Sequence, residues 1–345
     1  MKAAVLHGVE DIRYEEVDTP EIEEDEVLIR VKATGICGSD IPRVNSDAAH
    51  YYPIILGHEF SGEIAETGEG VTDLKKGDRV TGAPLIPDHN CIDCARGNYA
   101  QCSNYSFVGS RQSGSWAEYV KIPARNAVKL PDKVSYVQGA FFEPTTVGLH
   151  ALFLMNFQGG REVAVIGAGT IGLLAIQSAK ALGAKRVFAF DIDDERLEVA
   201  AQYGADLCIN TGKDGFKEIV NKKTNNRGFP VVLECAGVEF TEKLSLEMAA
   251  NKGKVMFIGT PSKEISLKPS EFENINRKEL MVRGSWMSYS APFPGEEWDL
   301  AGHYFKKDKI KVEKLIDRII PMEDIDQAFK DIAQGNVKGK ILLEG

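Results

Sequence analysis

An α/β protein made of two differently built parts is predicted, a β-rich N-terminal domain followed by a parallel, doubly wound sheet. Three observations carry the expectation. First, 345 residues are too many for one small core, and at ~150 residues per domain they suggest two. Second, residues 1–150 are broken into short β-like runs by Gly and Pro. EVLIRVKATGIC alternates apolar and polar positions like a strand running into a loop, and SGEIAETG, GDRVTG and WAEYVKIPA continue the pattern. Third, the texture changes after residue 150. Six short apolar runs, near Val163, Val187, Cys208, Val232, Val255 and Val282, alternate with helical stretches, as the strands of a parallel sheet do.

The elements follow in order. The helix after the first of these runs carries Ile171, Leu174, Ala175, Ala179 and Leu182 near helical spacing, and Gly183 supplies its stop, as Gly204 does for the next helix. From about Trp286 the chain is mixed again. EDIDQAFKDIAQG reads as an amphipathic helix, and the last strand, GKILLEG, is expected to return to the first domain. The domains expected are therefore 1–150, 151–285, and 286–345 as the returning C-terminal part. No internal repeat or low-complexity tract interrupts this plan.

Composition narrows the function. Acidic residues outnumber basic ones 51 to 41, for a formal charge of −10, which argues against a general binder of nucleic acid or anionic membrane. With 43% apolar and 27% charged residues the chain can offset the entropy of ordering a core. No apolar run approaches the ~20 residues of a membrane span, and MKAAVLHGVEDIRYEE has no apolar leader segment, so a cytoplasmic protein is expected. In that reducing setting the clustered cysteines Cys91, Cys94 and Cys102 point to a metal site before a disulfide framework, and Cys208 and Cys235 to core packing.

Three constellations carry chemistry. Gly167-Ala168-Gly169-Thr170-Ile171-Gly172 fits G-x-G-x-x-G, follows the apolar strand VAVI and opens a helix. The glycines allow a tight turn, close approach of the backbone to a pyrophosphate, and tight helix–strand packing, while the helix start presents free N–H groups to the anion. Asp191 closes the next strand, where a carboxylate accepts bonds from ribose hydroxyls and repels a 2′-phosphate, so NAD is favoured over NADP.

Asp88, Cys91, Cys94 and Cys102 have the spacing of a closed, tetrahedral structural zinc site. Asp88 is the favoured fourth ligand and His89 the alternative, one residue nearer Cys91. Cys37, His58 and Glu143, in the contexts GICGSD, LGHEFSG and FFEPTTVG, are far apart in sequence. A Cys, a His and a carboxylate would leave one position open on a catalytic zinc.

In this order GICGSD, GHEFSG, the cysteine cluster and GAGTIG resemble the zinc-dependent medium-chain alcohol/polyol dehydrogenases over essentially the whole chain. The resemblance implies a GroES-like catalytic domain, a Rossmann domain for NAD, two zinc ions per chain, one catalytic and one structural, and a homodimer or homotetramer. It places Cys37, His58 and Glu143 on the catalytic zinc, Glu59 beside it as an alternate ligand, Asp40 as the acid orienting the zinc histidine, and Ser39 as the hydroxyl that takes the substrate proton. AHYYPIILGHEFSG, YSFVGSRQSGSWAEYV, FFEPTTVGLHA and RGSWMSYSAPFPGEEW further resemble members that oxidise galactitol 1-phosphate to tagatose 6-phosphate. Arg43 and Arg111 are the candidate phosphate contacts. The other readings are a sorbitol- or xylitol-type polyol dehydrogenase, a more distant threonine dehydrogenase, and a non-catalytic binding relative. Two departures stand out: Asp88 replaces the usual first cysteine, and Pro42 stands where many relatives carry a proton-relaying histidine, leaving water, the cofactor ribose or a residue such as His50 to finish the relay.

Overall fold

A computed structural model describes residues 1–344. They fall into two compact units. The first contains Met1–Glu143, Tyr289–Asp308 and the chain from Val312 onward; the second contains Pro144–Ser288 with Lys309–Lys311. The division falls inside the helix Phe142–Leu154, so Glu143 belongs to the first unit although most of its helix belongs to the second.

The first unit is built on a mixed, seven-stranded sheet. Its central strand, Glu26–Gly35, is long because apolar residues recur on its buried face: Val27, Ile29, Val31 and Ala33 are almost fully enclosed. It pairs antiparallel with Glu59–Thr67, with Tyr119–Pro123 and with the last strand, Lys340–Glu344. Two of these pairings set the site. On one side Gly35 lies opposite Glu59; on the other it lies opposite Leu342. Glycine at position 35 gives the Glu59 carboxylate its room: a Cβ there would sit 2.4 Å from Glu59 Oε2 and displace it. The core beneath the sheet gathers Val27, Ile29, Phe60, Ile64, Val80 and Val120. The expected amphipathic helix forms over Ile325–Ala333, burying Ile325, Ala328 and Phe329, and the C-terminal strand pairs with the central strand of this unit.

The second unit is a parallel sheet of six strands among the described residues. Its spatial order is Leu207–Asn210, Arg186–Asp191, Glu162–Ile166, Phe229–Glu234, Ala249–Phe257 and Met281–Gly284. In chain order that is 3-2-1-4-5-6, the doubly wound arrangement whose ligand crevice lies at the reversal between the first and fourth strands. All six apolar runs are strands. The helix Thr170–Ala181 is enclosed more completely than one apolar face requires, being buried at every position from Gly172 to Ala179. Its buried Gln177 is satisfied by both edges of one peptide segment: Nε2 donates to Lys311 O at 2.9 Å, and Oε1 accepts from Lys311 N at 2.7 Å. That clasp explains why three residues from the C-terminal part belong to this unit.

The approach of the two central strands of the first unit leaves no room beside Gly62, where a Cβ would lie 2.0 Å from Arg30 O. Gly62→Ala is expected to destabilise the protein by about 3 kcal/mol, read as a lower midpoint in denaturant unfolding.

Candidate functional site

The first centre hangs from the end of the central strand. Beyond Gly35 the chain leaves the sheet through Ile36 and Cys37 and turns into the short helix Asp40–Asn45. Glu59 opens the neighbouring strand and His58 immediately precedes it. Strand pairing therefore delivers a Cys from one strand end and a His and a Glu from the start of the next. Cys37, His58 and Glu59 place ligand atoms within 4.8 Å of one another. Glu59, expected as an alternate ligand, completes this compact trio, because it is carried by the strand that begins beside His58. Glu143, at the start of its helix, faces the group closely enough to interact with His58, Glu59, Lys340 and Asp40.

The electrostatics of this group are unbalanced. Burial pushes the Cys37 thiol far up, with the Glu59 charge adding to it. Burial raises the Asp40 carboxyl above its ordinary value, and that of Glu143 to about 7. Arg43 pairs with Asp40, and one ammonium serves the other acids. Lys340 is buried and ion-paired with Glu59 Oε2, and its Nζ also donates to Ile36 O at 3.1 Å. The attraction of Glu59, Cys37 and Glu143 outweighs its desolvation and raises its pKa. His58 Nδ1 is buried without a hydrogen-bond partner, 3.6 Å from Asp40 Oδ1. A thiol, an imidazole and two carboxyl groups, desolvated and short of positive charge, fit a divalent cation such as zinc.

The loop residues are tied to one another. Asp40 Oδ2 accepts from Cys37 N at 3.1 Å, and Ser39 Oγ donates to Cys37 Sγ at 3.4 Å. Arg43 turns back on this loop, its Nη1 donating to Ser39 O at 2.9 Å, to Ser39 Oγ at 3.1 Å and to Asp40 Oδ1 at 3.1 Å. Arg111 lies over the Tyr105 ring at 4.5 Å. His50 is lowered by partial burial and by the charges of Arg111 and then Arg43, so three basic side chains gather on this side of the unit.

The second centre joins Asp88, Cys91, Cys94 and Cys102, whose ligand atoms also lie within 4.8 Å of one another. Asp88 Oδ1 accepts from Asn90 N at 2.9 Å and Cys91 N at 3.0 Å, and Oδ2 from Asn104 Nδ2 at 2.9 Å. Those bonds hold its carboxyl well below the usual range, as a carboxylate offered to the cluster. Sulfur is supported in the same way: Cys94 N donates to Cys91 Sγ at 3.4 Å and Asp88 N to Cys102 Sγ at 3.3 Å. Burial and the neighbouring thiols push Cys94 up to about 12. His89 does not join this group. Its backbone is left-handed, φ 56°, and its ring packs edge-on against Tyr99 and Phe293 at 5.7 and 5.4 Å. Three thiols and one carboxylate enclosed in this way fit a closed zinc site.

The Gly-rich loop after the first parallel strand turns sharply. Gly167 is left-handed at φ +94°, and a Cβ on Gly172 would lie 1.8 Å from Gly167 O. Around Gly169 a Cβ would meet nothing within 4 Å, the open space a pyrophosphate needs. Gly169 caps Thr170–Ala181 without a side chain, so the N–H groups near Thr170 and Ile171 stay available to an anion. Asp191 is buried at the end of its strand. Its Oδ2 accepts from Ala168 N at 2.6 Å and Oδ1 from Asp193 N at 3.0 Å, which fixes the carboxylate and leaves acceptor capacity for hydroxyls.

Two residues were missed by sequence reasoning. Lys340 gives no sequence signal, since it meets Glu59 only through the pairing of the last strand with the central one. Glu234, fully buried, binds Ala236 N, Gly237 N and Thr241 Oγ1 at 2.9, 2.9 and 2.7 Å, fixing the loop after the fourth strand of the parallel sheet. Its position at a strand end, just before Cys-Ala-Gly, was the available clue.

The model of the alcohol dehydrogenase GroES-like domain matches residues 23–132, and that of the zinc-binding dehydrogenase matches residues 170–302. The chain is 43% identical over 344 residues to galactitol 1-phosphate 5-dehydrogenase of Escherichia coli (strain K12), covering 99% of both proteins. The crystal structure of galactitol-1-phosphate dehydrogenase from Escherichia coli superimposes with a TM-score of 0.96, at 43% identity and full coverage of both chains. A zinc-binding dehydrogenase from Sinorhizobium meliloti 1021, solved bound to NADP, is 31% identical with a TM-score of 0.90, covering 100% of this chain and 99% of that one. No helix among the described residues is long and apolar enough to cross a membrane.

Removing the Lys340 charge leaves the Glu59 carboxylate buried among other acids. In metal-free protein, Lys340→Met is expected to cost about 3–5 kcal/mol, and adding Glu59→Gln should restore most of it, both read from denaturant unfolding.

Proposed function

Because the chain belongs to the zinc-binding dehydrogenases that carry an alcohol dehydrogenase GroES-like domain, we propose that it oxidises a secondary hydroxyl of galactitol 1-phosphate to the ketone, tagatose 6-phosphate, with NAD as oxidant. The observation that carries the chemistry is the buried, cation-deficient group of Cys37, His58 and acidic side chains. The full-length likeness to the Escherichia coli enzyme supports the substrate.

Cys37, His58 and Glu143 hold the catalytic zinc in this reading, while Lys340 retains Glu59 beside it as an alternate ligand. Zinc, when bound there, supplies Lewis acidity that lowers the pKa of an alcohol. NAD supplies the hydride acceptor. Asp40 faces His58 Nδ1 and so orients the ring for bonding through its other nitrogen. Ser39 Oγ takes the hydroxyl proton of the substrate. Pro42 has no group to receive it next, but Ser39 is exposed, so water follows directly. Asp88, Cys91, Cys94 and Cys102 hold a second, structural zinc. Gly167, Gly169, Thr170, Ile171 and Gly172 receive the pyrophosphate, and Asp191 the adenosine ribose. The Asp191 charge would repel a 2′-phosphate, which separates this chain's preference from the NADP held by the Sinorhizobium protein.

Arg111, with His50 near it, is the contact proposed for the substrate phosphate. The six cysteines are all free, which suits a cytoplasmic enzyme. A homodimer or homotetramer fits the exposed Met281 and Trp286 of the second unit, and sedimentation would size it.

NADH formation by zinc-loaded enzyme is expected to favour galactitol 1-phosphate over galactitol, sorbitol, xylitol and threonine. Better turnover of a free polyol would overturn the phosphate reading. Arg111→Ala should raise KM for the phosphorylated substrate about tenfold or more and leave that for free galactitol near its original value. Asp191→Ala should narrow the preference for NAD over NADP by about tenfold, measured as the ratio of kcat/KM for the two cofactors.

A further inference from the structure

Arg43 is spaced to serve the loop that precedes it. It stands four residues after Ser39 and three after Asp40, the intervals that bring side chains together on one turn of helix. Nη1 uses them: it binds the Ser39 carbonyl, the Ser39 hydroxyl oxygen and Asp40 Oδ1, all within 3.1 Å. The side chain is largely enclosed, at 20% exposure, and Asp40 is fully buried. Of the guanidinium's donors, Nη1 is thus committed to the loop and not to an incoming phosphate.

We propose that Arg43 is the positioning residue for the Ser39 hydroxyl, an inference that rests on Ser39 taking the substrate proton. A serine hydroxyl rotates freely unless its neighbours fix it. Arg43 has donors only and stays protonated, so it cannot accept the proton. What it does is occupy one lone pair of Ser39 Oγ and hold the side chain in one rotamer. The Ser39 proton is then directed away from the guanidinium, toward Cys37 Sγ in this structure. In turnover, the substrate O–H bond breaks as its proton passes to Ser39 Oγ, and the original Ser39 proton leaves to water. The hydride leaves the same carbinol for the nicotinamide, so one NAD is reduced and one proton released per ketone formed. The hydroxyl needs one lone pair free for the substrate proton, and the Arg43 bond, by filling the other, keeps the Ser39 proton off the guanidinium side. Asp40, held by the same nitrogen, keeps the loop in register with His58.

The test compares zinc-loaded wild type, Arg43→Ala, Arg43→Lys, Ser39→Ala and the Ser39→Ala/Arg43→Ala double variant. It runs on whichever of galactitol 1-phosphate and free galactitol the wild type oxidises, with zinc content measured on each protein. The expected result is a fall in kcat of about tenfold to a hundredfold for Arg43→Ala, with KM within about threefold, a larger solvent isotope effect, and part of kcat recovered in Arg43→Lys. In the Ser39→Ala background the Arg43 change should cost almost nothing further. A rise in KM for the phosphorylated polyol with kcat unchanged would instead make Arg43 a phosphate contact and overturn the proposal. So would losses that multiply in the double variant, or zinc loss in proportion to activity, which would place the effect on Asp40 and His58. Turnover of free galactitol alone would remove the substrate reading and still leave the Arg43 comparison to be made on kcat.

Discussion

One buried lysine stands against three acidic groups in the first unit. Cys37, Asp40, Glu59 and Glu143 are crowded together away from water. Arg43 pairs with Asp40 at the edge of the group, and Lys340 is the permanent positive charge that faces Cys37, Glu59 and Glu143. Placing ionised acids in such surroundings is costly unless each finds a counter-charge. The protein can resolve this in two ways: protons, which its raised acid groups would keep, or a divalent cation. Each favours a different state of the site. Protonated, the centre is a neutral patch of hydrogen bonds with the thiol resting as acceptor for Ser39. Ionised around a metal, it becomes a fixed set of donors. The strand pairing that puts Gly35 between Glu59 and Leu342 supports both, because it fixes the Lys340–Glu59 pair independently of what the other acids hold.

The cysteine lobe solves the same problem differently. Its acid, Asp88, is not desolvated into a raised state but is ionised by three N–H donors, two of them backbone. Backbone amides also reach Cys91 and Cys102. A carboxylate in place of a fourth thiolate is thereby preorganised as an anion, and the substitution need not weaken the site through proton competition. His89 cannot replace it without leaving the Tyr99–Phe293 rings and its left-handed turn.

How much of this was legible in the sequence depended on distance along the chain. The Gly-rich loop, the six parallel strands, the C-terminal helix and the Asp88 cluster are local patterns, and each could be read because strand period, glycine spacing and ligand spacing are written within a few dozen residues. The contexts around Cys37, His58 and Glu143 were readable as motifs, and so was Glu59 beside His58, yet the pairing of Glu59 with Lys340 was not. It follows from register between strands, and Glu59 reaches Lys340 across 281 positions of sequence. Glu234 was passed over for a different reason: a buried acid satisfied by its own loop looks, in sequence, like any strand-end glutamate. Arg43 was legible as a basic residue near the catalytic loop, but only side-chain geometry showed which way it turned.

Pro42 and Arg43 make sense together. Proline lacks an N–H, but in the first turn of a helix that donor would have no intrahelical partner anyway, so Pro42 costs little there. Its fixed φ stiffens the turn, and its carbonyl accepts from Ser46 N at 3.0 Å and Ser46 Oγ at 2.6 Å, closing the helix on the far side. A stiff six-residue helix is what lets a side chain at the fourth position reach back to the residue before the first. A histidine at position 42 would extend a proton path along the helix. A proline there offers no such group. If Ser39 takes the substrate proton as proposed, the same turn of helix supports that first step in place of a longer relay.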